Sequence, residues 1–299
     1  MFNFDNYVFT KGDIFIMIQQ KYNINLSLIN RFTTYLREQE KSKATIERYK
    51  YNLNLLHTFL NNEQITKNKL IEWKEYLVKN YAATSVNAML AAINTFFSFV
   101  GWVQFKVKPL KIQKNLFCRE EKELTKEEYL RLVRAAEKME NRRLSLVLQS
   151  ICATGIRVSE LQFITVEAVK KGRTVVNCKA KTRTIFLPEK LRHVLIQYAK
   201  EQKIISGPIF VTKTGITLNR SNIWRDMKNL CDSANVSPEK VFPHNLRHLF
   251  ARTYYTLEKD LFRLADILGH SNVNTTRIYT MESGAVHAKQ IEHMSLVIT

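Results

Sequence analysis

Ile46-Glu-Arg-Tyr-Lys-Tyr-Asn-Leu-Asn-Leu-Leu-His-Thr-Phe-Leu60 carries apolar residues at Ile46, Tyr49, Leu53, Leu56 and Leu60, a 3-4-3-4 spacing. That period places all five on one stripe of an α-helix and matches no alternating strand. Three neighbouring stretches repeat it. Leu26, Ile29, Phe32 and Leu36 precede it; Leu70, Trp73 and Leu77 follow, then Val86, Met89, Ile93, Phe97 and Val100, with Thr84 as the expected N-cap. Each stripe needs a partner to bury it, so residues 25–105 read as a four-helix bundle. The aromatic residues here are expected in the bundle core rather than on a base-stacking platform. Upstream, residues 1–24 show no clear period and read as a loose arm.

Downstream, residues 106–122 read as a basic linker. Lys106, Lys108, Lys111 and Lys114 fall there without an acid between them. Such a stretch can follow a phosphate backbone or serve as a solvated connector. A second domain, 123–299, then begins. Thr125 and Glu128 form a capping box ahead of Tyr129, Leu132, Val133 and Ala136. A further helix carries Leu144, Val147, Leu148 and Ile151 and is expected to stop at Gly155. Residues 174–178 and 183–187 read as short strands joined by a tight turn at 179–181, and 209–211 as a third strand. Helices are expected near 189–203, 219–233, 245–257, 260–268, 273–279 and 284–294. The fold class is therefore mainly α: an N-terminal four-helix bundle, then a mainly helical domain with a small antiparallel β-sheet.

The chain has 46 Lys+Arg against 27 Asp+Glu, a net charge of +19 over 299 residues, and both halves are basic. An excess this large attracts polyanions, nucleic acid first among them. Cys118, Cys152, Cys178 and Cys231 are far apart, with no CxxC pair, which argues against a disulfide framework or zinc ribbon. The apolar run Met89–Val103 is broken by Asn94, Thr95, Ser98 and Gly101, and falls short of the roughly 20 residues that cross a bilayer. A soluble, cytoplasmic protein without a membrane partner is expected.

Four clusters carry candidate chemistry. Arg157, in Ala153-Thr-Gly-Ile-Arg-Val-Ser-Glu-Leu161, follows a helix-ending glycine, and Glu160 three residues on shares its face. Lys179 and Lys181 sit in the hairpin turn. Pro243-His-Asn-Leu-Arg-His248 places His244 and Arg247 on one face as a phosphate-clamp pair; Asn245 stands where a zinc protease helix needs Glu, so a metal is not expected. Leu268-Gly-His-Ser-Asn-Val-Asn-Thr-Thr-Arg-Ile-Tyr-Thr280 supplies His270 and Tyr279. Each alone has an ordinary explanation: a surface ion pair, a turn lysine, a helical core tyrosine. Together they supply two guanidiniums, two imidazoles, a lysine and a phenol, with no carboxylate set for Mg²⁺. Metal-free phosphoryl transfer needs such a set.

In that order these motifs resemble the tyrosine recombinase family, lambda-integrase-like enzymes, and within it the Xer-type and mobile-element integrases. The resemblance is strong over the second domain and one of pattern over the bundle, which is similar to the family's SAM-like core-binding domain. It implies a site-specific recombinase or integrase that cuts and rejoins DNA through a 3′-phosphotyrosyl link, without metal, ATP or other cofactor. Arg157 and Arg247 would then clamp the scissile phosphate, His244 and His270 would hydrogen-bond it, and Glu160 would support the arginines. Lys179, or alternatively Lys181, would donate a proton, and Tyr279 would be the nucleophile. It also implies double-stranded DNA recombination sites as partners. A homotetramer on two sites, or a hetero-tetramer with a related recombinase, would assemble with the segment after Ser283 docking on a neighbour. An apolar patch of Ile291, Met294 and Leu296 suits that docking, or packs within its own chain. The hairpin turn is about one residue shorter than the family's usual form, Leu249 replaces a frequent small hydroxyl residue, and Met281 stands where His is common. A type IB topoisomerase-like activity and an inactive DNA-binding protein are the alternatives.

Overall fold

The computed structural model describes residues 22–112, 120–178, 181–212, 214–279 and 291–294, together with short backbone stretches at 7–8 and 16–17. The chain divides into two units, Met1–Lys114 and Asn115–Thr299.

In the first unit, β1 (Tyr7–Val8) pairs antiparallel with β2 (Ile16–Met17). This minimal ladder lies within the stretch read as a loose arm. Four helices follow: α1 (Leu26–Glu38), α2 (Lys43–Leu60), α3 (Lys67–Asn80) and α4 (Ala83–Phe99). Asn25, Ser42 and Thr66 cap the first three, each accepting a backbone N–H of the first turn. The stripes meet in one core of Phe32, Leu53, Leu56, Trp73, Leu77, Ile93, Phe96 and Phe97. Phe32 and Phe96 pack edge-to-face at 5.4 Å.

Three expectations need correcting here. Thr84 is not a cap: α4 starts at Ala83, two residues earlier than that cap would set it, and its N-cap Ala82 offers no side-chain bond. Leu26 closes no stripe: at the first position of α1 it is 67% exposed, while Ile29, Phe32 and Leu36 are buried. The start of the basic linker is not free. Asn94 exchanges two hydrogen bonds with the backbone of Val107, and Asn87 does the same with Leu110. Lys67 and Lys74 donate to the carbonyls of Lys106 and Lys108. The two amides act as a strand partner would, so residues 106–110 are strapped to the bundle.

In the second unit, α5 (Lys126–Lys138) begins at the Thr125–Glu128 capping box. Helix α6 (Arg142–Thr154) ends at Gly155 with φ +62°, and a 3-10 turn, Val158–Phe163, follows Arg157. Next come α7 (Val166–Lys171), β3 (Arg173–Cys178), β4 (Lys181–Phe186) and α8 (Glu189–Glu201). The two strands pair antiparallel from Arg173↔Phe186 to Cys178↔Lys181. Lys181 thus lies in the ladder rather than in the turn; a two-residue connection lets pairing run to the strand ends. Residues 209–211 are not a strand: Val211 makes only an isolated bridge to Thr217, while Ile209 and Phe210 bury into the core. The helix expected near 219–233 breaks into α9 (Arg220–Lys228) and α10 (Cys231–Ala234). Then come α11 (Pro243–Glu258), α12 (Leu261–Leu268) and α13 (Val273–Arg277). Of the expected helix 284–294, residues 284–290 lie outside the described residues, and 291–293 form a helical turn.

No helix among the described residues is long and apolar enough to cross a membrane.

Candidate active site

Two left-handed glycines build the site's floor. A Cβ on Gly155 would stand 2.5 Å from the Phe250 ring, so its absence lets α11 approach the end of α6. Gly269 (φ +65°) ends α12, and a Cβ there would stand 2.6 Å from Arg183 Cδ. Both positions need a residue that tolerates positive φ and leaves the space empty.

Arg157 precedes the 3-10 turn. Its Nη1 donates to Glu160 Oε1 at 2.9 Å, its backbone N–H donates to Glu160 Oε2 at 2.9 Å, and its Nη2 reaches the Gly269 carbonyl at 3.3 Å. Arg183 Nη2 also donates to Glu160 Oε2, at 2.6 Å. Burial alone would raise the Glu160 carboxyl, which is 2% exposed, but the Arg157 backbone bond and the Arg183 charge outweigh it and hold it below the ordinary carboxylate range.

Pro243 opens α11 and places His244, Arg247 and His248 in its first two turns. Arg247 is 1% exposed. Its Nη1 donates to the Gly155 carbonyl and its Nη2 to the Leu268 carbonyl at 2.6 Å. Nη2 also stands 3.1 Å from His270 Nε2, whereas Nε has no partner among the described residues. Burial beside Arg157 and Arg183 pulls this guanidinium down to about 10, which leaves it charged near neutrality.

Tyr279, at the end of the short turn after α13, is 3% exposed. Its ring stacks on His270 with centroids 5.9 Å apart and meets His248 edge-on at 4.7 Å. Burial raises the phenol above its ordinary value, while the charge and hydrogen bond of Arg247 pull the other way. His270 is pulled down to about 4 by desolvation and by the charges of Arg247, Arg157 and Arg183. His244 is also pulled down to about 4. It remains solvent-accessible on one side, but packing on the other desolvates it, and His248, Arg247, Arg157 and Arg220 add to the effect.

A cleft of about 800 Å³ runs between Arg157, Glu160, Thr182, Arg183 and His270. A second, of about 410 Å³, opens beside Arg157, His244 and Arg247. The structure therefore brings Arg157, Glu160, His244, Arg247, His270 and Tyr279 together. Lys179 lies outside the described residues, and only the backbone of Lys181 is described. No group of three His, Cys, Asp or Glu among the described residues could hold a metal ion.

Sequence reading missed two sets of participants. Arg183 sits in β4 at a register position shared with buried Ile185, and a cation on the inward face of a hairpin was the available signal. Glu123 accepts from His248 Nδ1 at 3.4 Å and lies 3.5 Å from Arg252 Nη2. Nothing local to Glu123 marks it, because both partners lie more than a hundred residues away.

Residues 122–284 match the family model described as Phage integrase family, and residues 29–104 match that described as Phage integrase, N-terminal SAM-like domain. Tyrosine recombinase XerA of Pyrococcus furiosus is 31% identical over 282 residues, covering 90% of this chain and 94% of the relative. Among solved structures, XerH site-specific recombinase bound to difH substrate in a pre-cleavage complex aligns with a TM-score of 0.66 at 19% identity, over 90% of this chain and 84% of that one. A lambda integrase tetramer bound to a Holliday junction aligns with a TM-score of 0.68 at 18% identity, over 86% and 78%. At these identities the structural likeness speaks for the fold.

Proposed function

The chain belongs to the phage integrase family, its relative from Pyrococcus furiosus is named a tyrosine recombinase, and from that premise we propose that it cuts and rejoins DNA at specific sites through a covalent bond to Tyr279. The observation that carries the assignment of residues is the convergence of Arg157, Arg247, His244 and His270 around the one phenol. Five groups from three separated motifs meet there, and each is of the type that the chemistry needs.

In the reaction, the Tyr279 oxygen attacks a backbone phosphorus and gives up its proton. The bond from phosphorus to the 5′-oxygen breaks, and that oxygen takes a proton to leave as a 5′-hydroxyl. A 3′-phosphotyrosyl ester remains. Attack by the 5′-hydroxyl of another strand reverses the step and returns the proton to Tyr279. The ester conserves the energy of the phosphodiester bond, so rejoining needs no separate energy source.

Each side chain has a task in this scheme. Arg157 and Arg247 neutralise the phosphate oxygens as charge accumulates on phosphorus. The raised phenol is protonated near neutral pH, so the guanidiniums also stabilise the phenolate character it gains during attack. His244 and His270 are neutral before DNA arrives, and the phosphate charge that enters between them favours their protonated forms. Glu160 holds Arg157 in place. Lys179 or Lys181 protonates the leaving oxygen. Tyr279 is covered, so binding of the duplex must uncover it.

The net charge of +19 supports a duplex partner. Assembly as a tetramer on two sites is part of the same reading, supported by the exposed Ile291 and Met294 near the C-terminus. Leu296 lies outside the described residues. Action on DNA places the protein in the compartment that holds the DNA, the cytoplasm of a cell without a nucleus.

A nicked suicide duplex on a denaturing gel tests this. The wild-type protein should form a covalent protein–DNA adduct, and Tyr279→Phe should form none. An adduct with Tyr279→Phe would put the nucleophile elsewhere. Relaxation of supercoiled DNA without exchange between two sites would favour topoisomerase-like activity instead.

A further inference from the structure

Arg183 is a charged residue of the site that has no task in the reaction above. Its side chain is 11% exposed. It lies on β4, directly opposite buried Val176 in the ladder. Its guanidinium joins segments far apart in sequence. Nη2 donates to Glu160 Oε2 at 2.6 Å, and Nη1 donates to the Ile267 carbonyl at the end of α12. Its methylene stem fills the space that a Cβ on Gly269 would take. Glu160 in turn holds Arg157, and Arg157 returns to the Gly269 carbonyl. The result is a closed circuit through β4, the Arg157–Glu160 turn and the 267–270 turn that carries His270.

We propose that Arg183 is a positioning residue: it locks the strand that begins at Lys181, the Arg157–Glu160 pair and the turn bearing His270 into one frame. This rests on the strand-cleavage reading above. The physical argument is one of geometry as well as charge. A planar guanidinium can serve a carboxylate and a carbonyl in two directions at once, whereas an ammonium at the end of a flexible stem cannot hold both in fixed register. Without Arg183, buried Glu160 would have Arg157 as its remaining ion-pair partner. It would draw that guanidinium toward itself and away from the phosphate.

The test compares full-length wild type, Arg183→Ala and Arg183→Lys for duplex affinity and for the single-turnover rate of adduct formation on the suicide duplex. Both variants should bind DNA within about threefold of wild type while their adduct rates fall about 10–100-fold, since small misplacements of reacting groups carry costs of that order. Arg183→Lys should do no better than Arg183→Ala. Added methylguanidinium should restore Arg183→Ala but not Arg183→Lys. Should Arg183→Ala lose its cooperative unfolding transition, Arg183→Gln, which can still donate to Glu160, takes its place. A wild-type rate in Arg183→Lys would mean that charge alone suffices. A loss of affinity as large as the loss of rate would make Arg183 a DNA-binding residue. Either result overturns the proposal, as does a normal rate in Arg183→Ala. Failure of the wild type to form an adduct would instead sink the cleavage reading, and this inference with it.

Discussion

Arg247 Nη2 stands 3.1 Å from His270 Nε2, and this contact sets the tautomer of the imidazole. A guanidinium only donates, so Nε2 accepts. The proton therefore sits on Nδ1, which donates to Thr276 Oγ1 at 2.8 Å. Thr276 is fully buried. Thr276→Val should leave that N–H without an acceptor, at about 1–3 kcal/mol of stability. It should also release the ring and slow adduct formation. Nitrogen NMR of the wild type should show the Nδ1–H tautomer, and an Nε2–H form would contradict the assignment.

Stability should fall on mild acidification. His244 and His270 titrate at about 4 in the folded protein, against 6.5 ordinarily, so the unfolded chain binds more protons between those values. Their contribution is complete above about 6.5 and is lost as the pH drops through 4. Glu160 and Glu123, both held below the ordinary carboxylate value, extend the loss to lower pH. Denaturant titrations at descending pH would show the decline. Proton NMR should find both imidazoles titrating higher once a duplex is bound.

Arg247→Lys should be poorly tolerated. The guanidinium serves the Gly155 and Leu268 carbonyls and His270 at once. An ammonium would forfeit at least one charged hydrogen bond, worth roughly 1.5–3 kcal/mol. The adduct rate should fall about 10²–10³-fold, as when a preorganised donor is removed from a transition state. A stable variant with full activity would remove Arg247 from the proposed role.

The proton donor can be assigned chemically. Replacing the 5′-bridging oxygen of the scissile phosphate with sulfur creates a leaving group that needs no proton. The donor's variant, Lys179→Ala or Lys181→Ala, should lose about 10²–10⁴-fold on the normal substrate and recover on the sulfur-containing one. The other lysine's variant should be affected alike on both. Lys181 stands opposite Cys178 in the ladder, so the two lysines are told apart by this substrate pair and not by register alone.

Duplex affinity should drop steeply with salt, because each lysine or arginine on a phosphate releases condensed counterions. With Z such contacts the logarithmic slope should be about −0.9Z. Filter binding or anisotropy at several salt concentrations measures it. A slope near zero would argue against a backbone-bound duplex.

Local signals were legible where a pattern lies within one element. The stripe from Ile46 to Leu60 sets α2, Thr125 and Glu128 start α5, and Gly155 and Gly269 stop two helices, because periodicity, capping and positive φ depend on near neighbours. The same locality explains the misses. Thr84 has the right chemistry for a cap but lies inside the first turn of α4. Residues 209–211 are apolar enough for a strand but find only scattered backbone partners, Ile164, Leu218 and Thr217, and no continuous ladder. Asn87 and Asn94 look like ordinary helix-surface amides until the chain returns to pair with them.

The sequence by itself determined a mainly helical, basic, two-part chain and the kinds of side chain available for phosphoryl transfer, with Tyr279 among them. Only the tertiary structure decided which groups meet. Arg247 reaches a carbonyl 92 residues away, and Arg183 one 84 residues away. The physical reason is that such bonds form only after glycine-ended helices turn the chain back and core packing brings distant turns together. Tyr279, an ordinary helical tyrosine on its own, gains its neighbours from that return.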